Sequence, residues 1–401
     1  MYIPRSMEKL LASYRTQFKV VLVTGARQVG KTTMLQHSIP SDFHYSTLDN
    51  PHDFSTATRD SALYFQTHPL PVLIDEVQRV PELFTYIKYL VDQQDLKGQI
   101  VLTGSQTYPL MTGVSESLAG RVGILELPPL SLREILHTGH NQPYIPHLPA
   151  PTQSLPAVNV WEHIWRGSMP ELQDTTLDWD AFYSSYERSY LERDVRALIN
   201  VKDEERFFRF LISCAARTGQ LFNASGIAAD IGVDSKSVQN WLSVLRASGL
   251  VRLVQPFFSN PTKQVVKSPK LYFMDTGLVC HLLGWTSATT AQRGAMSGAL
   301  FETFVVSEII KSHLNAGQDG RRIFFYRDTR KREIDLVIQN GRTLHPIEIK
   351  QAATPSVDAL RHFSVLDSFS DYEVGAGAVI CQTDSPFALR NNVQAIPVTA
   401  I

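Results

Sequence analysis

The segment Gly25–Thr32, with the sequence GARQVGKT, constrains this chain more than any other stretch. It follows an apolar run, Lys19–Thr24 (KVVLVT), and precedes a helix-like run. Its glycines allow backbone N–H groups to turn inward around a phosphate at a helix N-terminus. Lys31 would reach the β- and γ-phosphates, and the hydroxyl of Thr32 would ligate magnesium. The predicted nucleotide-binding residues are Gly25, Ala26, Arg27, Gln28, Val29, Gly30, Lys31, Thr32 and Thr33.

Two acidic residues support this interpretation. Asp75 and Glu76 directly follow a second apolar run, Pro71–Ile74 (PVLI). A carboxylate at a strand tip beside the phosphate loop can hold magnesium, so Asp75 is predicted to be a magnesium ligand together with Thr32. Glu76 is predicted to orient or deprotonate the attacking water.

Two further candidate catalytic residues have two interpretations each. Ser105 follows the apolar run Gln99–Thr103 and either contacts the γ-phosphate or the lytic water, or caps a helix. Arg121 precedes the run Gly123–Leu127 and is either an arginine finger for a neighbouring subunit's nucleotide or a surface arginine. Both alternatives stay open for each residue.

Several segments carry a family resemblance. GARQVGKTT, LIDEVQRVP, VLTGS and LAGRVGILELPPLSLREI resemble the AAA+-type ATPases of bacteria and archaea. YLERDV, FMDTGL, LFETFV, REIDLVI and IEIK resemble the prokaryotic group in which this module precedes a conserved C-terminal region of unknown function. The resemblance implies ATP binding, ATP hydrolysis, a helical lid over the nucleotide, and a site between subunits of a homo-oligomer. Lid arginines Arg188, Arg193 and Arg196 would either sense phosphate or, as we favour, form a solvated face.

Composition excludes several classes of protein. The 401 residues carry 38 Lys+Arg and 39 Asp+Glu, a net charge of -1, so whole-chain charge is no argument for nucleic acid. No apolar run is long enough for a membrane span, and the N-terminus lacks a secretory signal. The cysteines Cys214, Cys280 and Cys381 are scattered and odd in number, which fits neither a disulfide framework nor a zinc site. We expect a cytoplasmic protein without membrane contact.

The segment Asn223–Val254 is typical of a helix-turn-helix, with a turn at Gly232. The runs LVRLVQPF and KSPKLYFMD could add a two-stranded wing, and in such winged-helix modules the second helix enters the major groove of DNA. The exposed candidates on that helix are Lys236, Ser237, Gln239 and Asn240. The local positive charge comes from Lys236, Arg246, Lys263, Lys267 and Lys270. Winged helices also bind proteins, so DNA and protein partners both stay open.

Four residues near the C-terminus form a predicted constellation. Asp335 interrupts one apolar strand, and Glu348 and Lys350 share one face of the next, since residues two apart in a strand point the same way. Asp335 and Glu348 could ligate a second divalent metal, with Glu302 from the preceding helix nearby, and Lys350 could position or activate water for phosphodiester attack.

This order of residues resembles the PD-(D/E)xK nuclease superfamily, although Ile334 stands before the aspartate in place of proline. The alternative is a surface hairpin of alternating charge, but burying unpaired acids in apolar strands is costly. The adjoining basic segment, residues 321–332, would suit a phosphate backbone.

The predicted fold class is α/β. Residues 1–140 are predicted as a P-loop NTPase core built on a parallel sheet, because its apolar runs alternate with helices. The further predicted parts are a Pro-rich linker (141–160), a helical lid (161–222), a winged helix-turn-helix (223–290) and a restriction-endonuclease-like, PD-(D/E)xK-type α/β domain (291–401).

Two classes of function follow from these patterns. The first is a Mg²⁺-dependent ATPase coupled to a DNA-binding module that is a candidate metal-dependent nuclease. The second is a nucleotide-controlled regulatory or interaction protein without nuclease activity. A requirement for a divalent metal at the C-terminal carboxylates would distinguish them.

Overall fold

The computed structural model describes residues 2–93, 96–105, 114, 117–138, 142–148, 158–190, 204–258 and 268–401. The helices are α1 (Glu8–Gln17), α2 (Lys31–Ser38), α3 (Pro51–Arg59), α4 (Ser61–Thr67), α5 (Leu83–Gln93), α6 (Leu132–Ile135), α7 (Val160–Arg166), α8 (Trp179–Tyr190), α9 (Glu204–Ala215), α10 (Ala224–Ile231), α11 (Ser235–Ala247), α12 (Thr276–Leu282), α13 (Ala288–Arg293) and α14 (Ser297–Asn315). The strands are β1 (Val20–Thr24), β2 (His44–Thr47), β3 (Val72–Asp75), β4 (Ile100–Thr103), β5 (Val122–Glu126), β6 (Val251–Pro256), β7 (Lys270–Phe273), β8 (Ile323–Arg327), β9 (Glu333–Asn340), β10 (Thr343–Ile349), β11 (Glu373–Val374), β12 (Gly377–Cys381), β13 (Phe387–Arg390) and β14 (Val393–Pro397).

The first sheet is parallel throughout, with the order β2-β3-β4-β1-β5. Its three central strands are buried at every position, because their apolar side chains are covered on both faces. The four strands predicted for this region are therefore confirmed. The edge strand β2 was not predicted, since its sequence, HYST, is polar and its first two residues are exposed.

The helices that follow this sheet pack through aromatic rings. Trp165 stacks on Trp179 with ring centroids 4.8 Å apart, and Tyr183 meets Trp179 edge-on at 5.4 Å. The buried carboxylate of Asp275 accepts hydrogen bonds from the Tyr183 hydroxyl at 2.7 Å and from the backbone and side chain of Ser168. These contacts bind the α7–α8 segment to the start of α12.

The second sheet is mixed, and its order is β13-β14-β12-β10-β9-β8-β6-β7, with β11 paired to β10. The two strands predicted as a wing, β6 and β7, pair antiparallel. However, β6 also pairs parallel with β8, where Gln255 lies opposite Phe324. The predicted 223–290 and 291–401 segments thus share one continuous sheet. The long helix α14 packs against β7 and β10.

Two buried side chains on α14 connect three parts of the chain. The Lys311 ammonium lies 2.8 Å from Glu308 Oε1 and donates hydrogen bonds to Leu130 O and Ser168 Oγ, each at 3.0 Å. Glu308 Oε2 accepts from the backbone N–H of Leu132 at 2.7 Å. We call these five residues the α14 junction. It joins the end of the first sheet's region, the α7–α8 segment and the C-terminal sheet.

The core crosses the same boundaries. Val21 of β1, Trp241 of α11 and Ile347 of β10 belong to one continuous cluster of buried apolar residues. All three cysteines are buried free thiols. Among the described residues, no helix is both long and apolar enough to cross a membrane.

Candidate nucleotide site and C-terminal carboxylate cluster

The phosphate loop connects β1 to α2 and depends on its glycines. Gly25 has a φ of 153°, and a Cβ there would lie 2.3 Å from the carbonyl oxygen of Leu127. Gly30 caps α2 with a φ of 86°. Side chains are strained at such angles, so glycine is required at both positions. The loop therefore ends at a helix N-terminus, which is the arrangement that binds phosphate.

Lys31 is the first residue of α2 and is buried. Its ammonium donates hydrogen bonds to the loop carbonyls of Ala26 at 2.8 Å and Gly25 at 3.2 Å. The cation is therefore held at the loop itself. It would exchange these carbonyl contacts for phosphate oxygens when a nucleotide enters.

The predicted magnesium ligands meet at this edge of the sheet. Thr32 Oγ1 donates a hydrogen bond to Asp75 Oδ2 at 3.0 Å, and the Tyr45 hydroxyl donates to the same oxygen at 3.3 Å. Burial raises the pKa of Asp75, and the bonds from Thr32 and Tyr45 oppose that rise. A partly desolvated carboxylate beside a threonine hydroxyl suits a hard cation, so the donor set fits magnesium. Sequence reasoning missed Tyr45, since β2 showed no strand signal.

Glu76 and Ser105 line the same cavity as the phosphate loop. Its volume is about 530 Å³, and Pro170, Glu171 and Ser189 of the α7–α8 segment close its other side. Glu76 has a left-handed φ of 57°, and its carboxylate accepts a short hydrogen bond from the Gln78 amide. The two predicted residues therefore share a cavity with the phosphate loop, and their catalytic roles stay a prediction.

The α7–α8 segment lies beside the phosphate loop, and its role as a lid stays a prediction. A Cβ at Gly30 would lie 3.6 Å from Pro170 Cγ, so the segment approaches the loop closely. Arg188 on α8 is exposed, as the favoured interpretation predicted. Arg193 and Arg196 lie outside the described residues.

Arg121 lies at the amino ends of the strands of the first sheet, whereas the phosphate loop lies at their carboxyl ends. It precedes β5, which runs parallel to β1, so it is at the amino ends of these strands. Its guanidinium forms an exposed ion pair with Asp92 at 2.6 Å. Arg121 therefore cannot contact the nucleotide of its own chain. Action on a neighbouring subunit stays a prediction.

Sequence reasoning also missed Arg5, which is 5% exposed. Its guanidinium donates to the carbonyl oxygens of Val29 and Pro128, each at 2.7 Å, and to Glu134 Oε1 at 3.2 Å. Arg5 thereby connects Val29 of the phosphate loop to Pro128 and Glu134. No local pattern could have indicated this, because its partners are distant in the sequence.

The C-terminal carboxylates lie on neighbouring antiparallel strands, β9 and β10. Lys350 Nζ is 2.7 Å from Glu348 Oε1 and 3.9 Å from Asp335 Oδ2. The backbone N–H of Ile349 donates to Asp335 Oδ2 at 2.8 Å. Burial would lower the pKa of Lys350, but the two carboxylates outweigh it and raise that pKa. Lys350 is therefore suited to position a water rather than to take its proton.

Lys270 is an unexpected member of this cluster. The sequence analysis counted it among the local positive charges of the predicted winged helix, but its side chain is only 4% exposed and therefore unavailable to DNA. Its ammonium lies 3.1 Å from Glu302 Oε1 and 2.7 Å from Glu333 Oε1. The Tyr272 hydroxyl donates to the same Glu302 oxygen at 2.6 Å.

The two lysines offset only part of the charge of the four carboxylates, Glu302, Glu333, Asp335 and Glu348. Among the described residues, no group of three or more His, Cys, Asp or Glu side chains is arranged to hold a metal ion. Burial, followed by the charges of Glu302 and Glu348, raises the pKa of Asp335 to about 8. The carboxylates thus crowd one another even with Lys270 and Lys350 beside them.

This crowding predicts a pH-dependent stability. The pKa of Asp335 rises from 3.8 to about 8 in the folded chain, so between these values the folded state holds a proton that the unfolded state has lost. The free energy of unfolding should therefore fall as pH rises through this window. Asp335→Asn should flatten the fall in melting temperature between about pH 5 and about pH 9. The exposed control Asp358→Asn should keep the wild-type slope, and an unchanged slope in Asp335→Asn would contradict the assignment.

Most of the side chains on α11 that were predicted to be exposed are exposed. Lys236, Gln239 and Asn240 are exposed, and Ser237 is half-buried. Asp234 caps the helix by accepting from the Ser237 N–H at 2.8 Å. Lys263 and Lys267 lie outside the described residues.

Sequence comparison assigns the class of the chain. A family model for an AAA domain matches residues 17–136, and two models for domains of unknown function, DUF8612 and DUF4143, match residues 158–289 and 297–401. The AAA match contains the phosphate loop and both acids at the end of β3. The chain therefore contains a P-loop ATPase domain of the AAA type, a class of domain that binds ATP.

Its relatives define the family more narrowly. Uncharacterized proteins of Mycobacterium tuberculosis and Mycobacterium bovis are each 30% identical over 387 residues, which cover 95% of this chain and 80% of theirs. The chain belongs to the family of these two proteins. An uncharacterized protein of Haemophilus influenzae is 22% identical over 312 residues, covering 72% of this chain and 74% of that protein.

Solved structures show a partial likeness. The Walker-type ATPase of Pyrococcus abyssi has a TM-score of 0.38 at 14% identity, covering 70% of this chain and 98% of that chain. The RuvB Holliday junction branch migration motor of Thermotoga maritima has a TM-score of 0.26 at 15% identity, covering 61% of this chain and 88% of that chain. The class and family assignments depend on the sequence matches instead.

Proposed function

We propose that the chain hydrolyses ATP in a magnesium-dependent reaction at the phosphate loop. The observation that carries this proposal is the 3.0 Å contact between the Thr32 hydroxyl and Asp75, beside the ammonium of Lys31. Bringing a hydroxyl, a carboxylate and a lysine together at a helix N-terminus serves phosphoryl transfer. Thr32 and Asp75 would hold the magnesium ion, and bound magnesium would offset the charge of the phosphate oxygens.

The remaining residues have distinct proposed roles. Lys31 would bind the β- and γ-phosphates, and Glu76 would orient the attacking water and accept its proton. Ser105, across the cavity, would contact the γ-phosphate or that water. Arg121 would act on the nucleotide of an adjacent copy in a homo-oligomer, since it lies far from its own chain's phosphate loop.

Lys31→Ala tests the assignment of the site. Loss of a charge-assisted bond to phosphate should weaken ATP binding by about 1.5–3 kcal/mol, or roughly 10- to 100-fold, with a matching loss of turnover. ATP binding would be measured by isothermal titration calorimetry and turnover by phosphate release. Lys97→Ala, which removes an exposed lysine elsewhere, should behave like wild type. Unchanged ATP affinity in Lys31→Ala would remove the basis of the proposal.

We further propose that the C-terminal half binds DNA. Helices α10 and α11 with the β6–β7 hairpin have the element order of a winged helix, and α11 presents polar side chains to solvent. Exposed arginines at residues 321, 322 and 330 add positive charge nearby. The pairing of β6 with β8 would hold this module rigidly on the C-terminal sheet.

A second candidate function is metal-dependent cleavage of a phosphodiester by a PD-(D/E)xK-type site. The specific observation in its favour is that Asp335 and Glu348, on adjacent strands, both face Lys350. They would hold the divalent ion, which would polarise the phosphate, and Lys350 would position the water. The contacts of Lys270 favour the alternative, a nucleotide-controlled regulatory protein, because its ammonium already neutralises Glu302.

Cleavage assays separate these two functions. Linear and circular DNA would be incubated with Mg²⁺ or Mn²⁺, with and without ATP, for wild type, Asp335→Ala and the exposed control Asp358→Ala. The nuclease function predicts cleavage by wild type and the control, and its loss in Asp335→Ala. If no condition gives cleavage, the nuclease function is excluded and the regulatory function remains. That result would leave the proposal of ATP hydrolysis unchanged.

A further inference from the structure

A second large cleft is separate from the cavity that the phosphate loop lines. Its volume is about 770 Å³, and it opens between the C-terminal end of α11, strand β6, and the loop that follows α14. Glu126, the last residue of β5, contributes the wall from the first sheet. No part of the proposed catalytic machinery lines this cleft.

The lining of the cleft is rich in arginine. Arg246, Arg252 and Arg321 face it, against two carboxylates, Glu126 and Asp319. Arg252 forms an ion pair with Glu126, and Arg321 pairs with Asp319 at 2.7 Å while its side chain stays 86% exposed. Three guanidinium groups against two acids leave an excess of positive charge. Guanidinium groups suit phosphates because they donate two parallel hydrogen bonds.

The positive lining continues beyond this arginine-rich cleft. A neighbouring hollow of about 510 Å³ shares Asp319, Gly320 and Arg321 with it and adds the exposed Arg322. The half-buried ring of Phe324 also lines the arginine-rich cleft. An extended groove with arginines and an aromatic ring matches a nucleic-acid strand better than a mononucleotide, which would occupy only one hollow.

The turn between α11 and β6, whose neighbours Ala247 and Val251 line the cleft, lies close to the phosphate loop. Gly249, in the turn between α11 and β6, has a φ of 72°, and a Cβ there would lie 3.3 Å from the backbone nitrogen of Ala26. Glu126 is paired in register with Thr24, directly before the loop. A phosphate that attracts Arg252 would break its ion pair with Glu126. Glu126 lies on β5, the strand next to β1, and β1 leads directly into the phosphate loop.

We propose that this cleft binds the phosphodiester backbone of a nucleic-acid strand, through Arg246, Arg252 and Arg321. This proposal rests on the proposed DNA-binding function, but it assigns the nucleic-acid contact to a different surface. The contact surface is the arginine cleft at the C-terminal end of α11, and not the exposed face around Lys236 and Gln239. Nucleic acid bound there would lie beside the turn that approaches Ala26 of the phosphate loop.

Fluorescence anisotropy with labelled single-stranded and duplex oligonucleotides tests this location. The variant Arg246→Ala/Arg321→Ala removes two exposed side chains, so the fold should be kept, as circular dichroism and thermal melting would verify. It should bind at least about 10-fold more weakly at about 0.1 M salt. The slope of log affinity against log salt should fall by about one per arginine removed. The matched control Lys236→Ala/Gln239→Ala, on the same helix, should bind like wild type.

The outcomes are distinct. Weaker binding in the arginine variant alone supports the cleft, and the probe that binds tighter identifies single-stranded or duplex nucleic acid as the ligand. Weaker binding in the control alone overturns the cleft but leaves the DNA-binding function standing. If wild type binds neither oligonucleotide even at low salt, the DNA-binding function fails and the cleft assignment fails with it.

Discussion

Glu76→Gln is expected to lower the ATP turnover number by about 10²- to 10⁴-fold, the usual contribution of a positioned general base. The left-handed backbone at Glu76 directs its side chain into the cavity that the phosphate loop lines. Glutamine has the same shape but cannot accept a proton from water. ATP affinity should change little, because Lys31 and the loop amides remain.

Steady-state phosphate release and ATP titration calorimetry together check this prediction. Glu82→Gln is the matched control, since Glu82 is an exposed glutamate close in sequence and outside the cavity. It should keep the wild-type turnover number. A wild-type rate in Glu76→Gln would show that another group activates the water, whereas equal loss of ATP affinity would indicate a disturbed phosphate loop.

Glu308→Ala is expected to lower the free energy of unfolding by about 3–5 kcal/mol, the range for removing one partner of a buried ion pair. The side chains of Glu308 and Lys311 are 5% and 1% exposed, so the variant leaves an ammonium buried without its counter-charge. It also removes the acceptor of the Leu132 N–H. Because the α14 junction holds three parts of the chain together, the loss should affect them all.

Urea unfolding followed by tryptophan fluorescence measures this change. Glu205→Ala is a matched control, because Glu205 forms a helical ion pair with Arg209 at 2.6 Å but its side chain is 80% exposed. Its effect should stay within about 1 kcal/mol. The double variant Glu308→Leu/Lys311→Met, which removes both charges, should recover much of the loss. A similar small effect in Glu308→Ala and Glu205→Ala would contradict the role of the junction.

Much of the nucleotide site was predictable because its parts are local or follow from one rule of topology. The loop is contiguous, and its glycines, lysine and threonine act within one turn. Asp75 is far along the chain, but parallel strands end at the same edge of a sheet, so its approach to Thr32 followed from two apolar runs. Tyr45 lay beyond this reasoning because β2 has no apolar pattern to mark it as a strand.

The C-terminal cluster was predictable only in part. Alternation along β9 and β10 placed Asp335, Glu348 and Lys350 together. Lys270 comes from the preceding hairpin, and its sequence context is that of a surface residue. Its burial became favourable only because Glu302 and Glu333 converge on it in the folded chain. The convergence also makes the cluster less suited to a metal ion, because the ammonium groups of Lys270 and Lys350 offset negative charge that would otherwise attract the ion.

By itself, the sequence determined the phosphate loop, the parallel sheet behind it and the strands that carry the C-terminal acids, because these depend on local hydrogen bonding and on the spacing of apolar residues. Only the tertiary structure decided which charges come together: Arg5 beside Val29 of the loop, Glu308 with Lys311, Lys270 among the acids, and the arginines of the cleft at the end of α11. The physical reason is that the free energy of a charge depends on which groups surround it, and those groups come from distant parts of the chain.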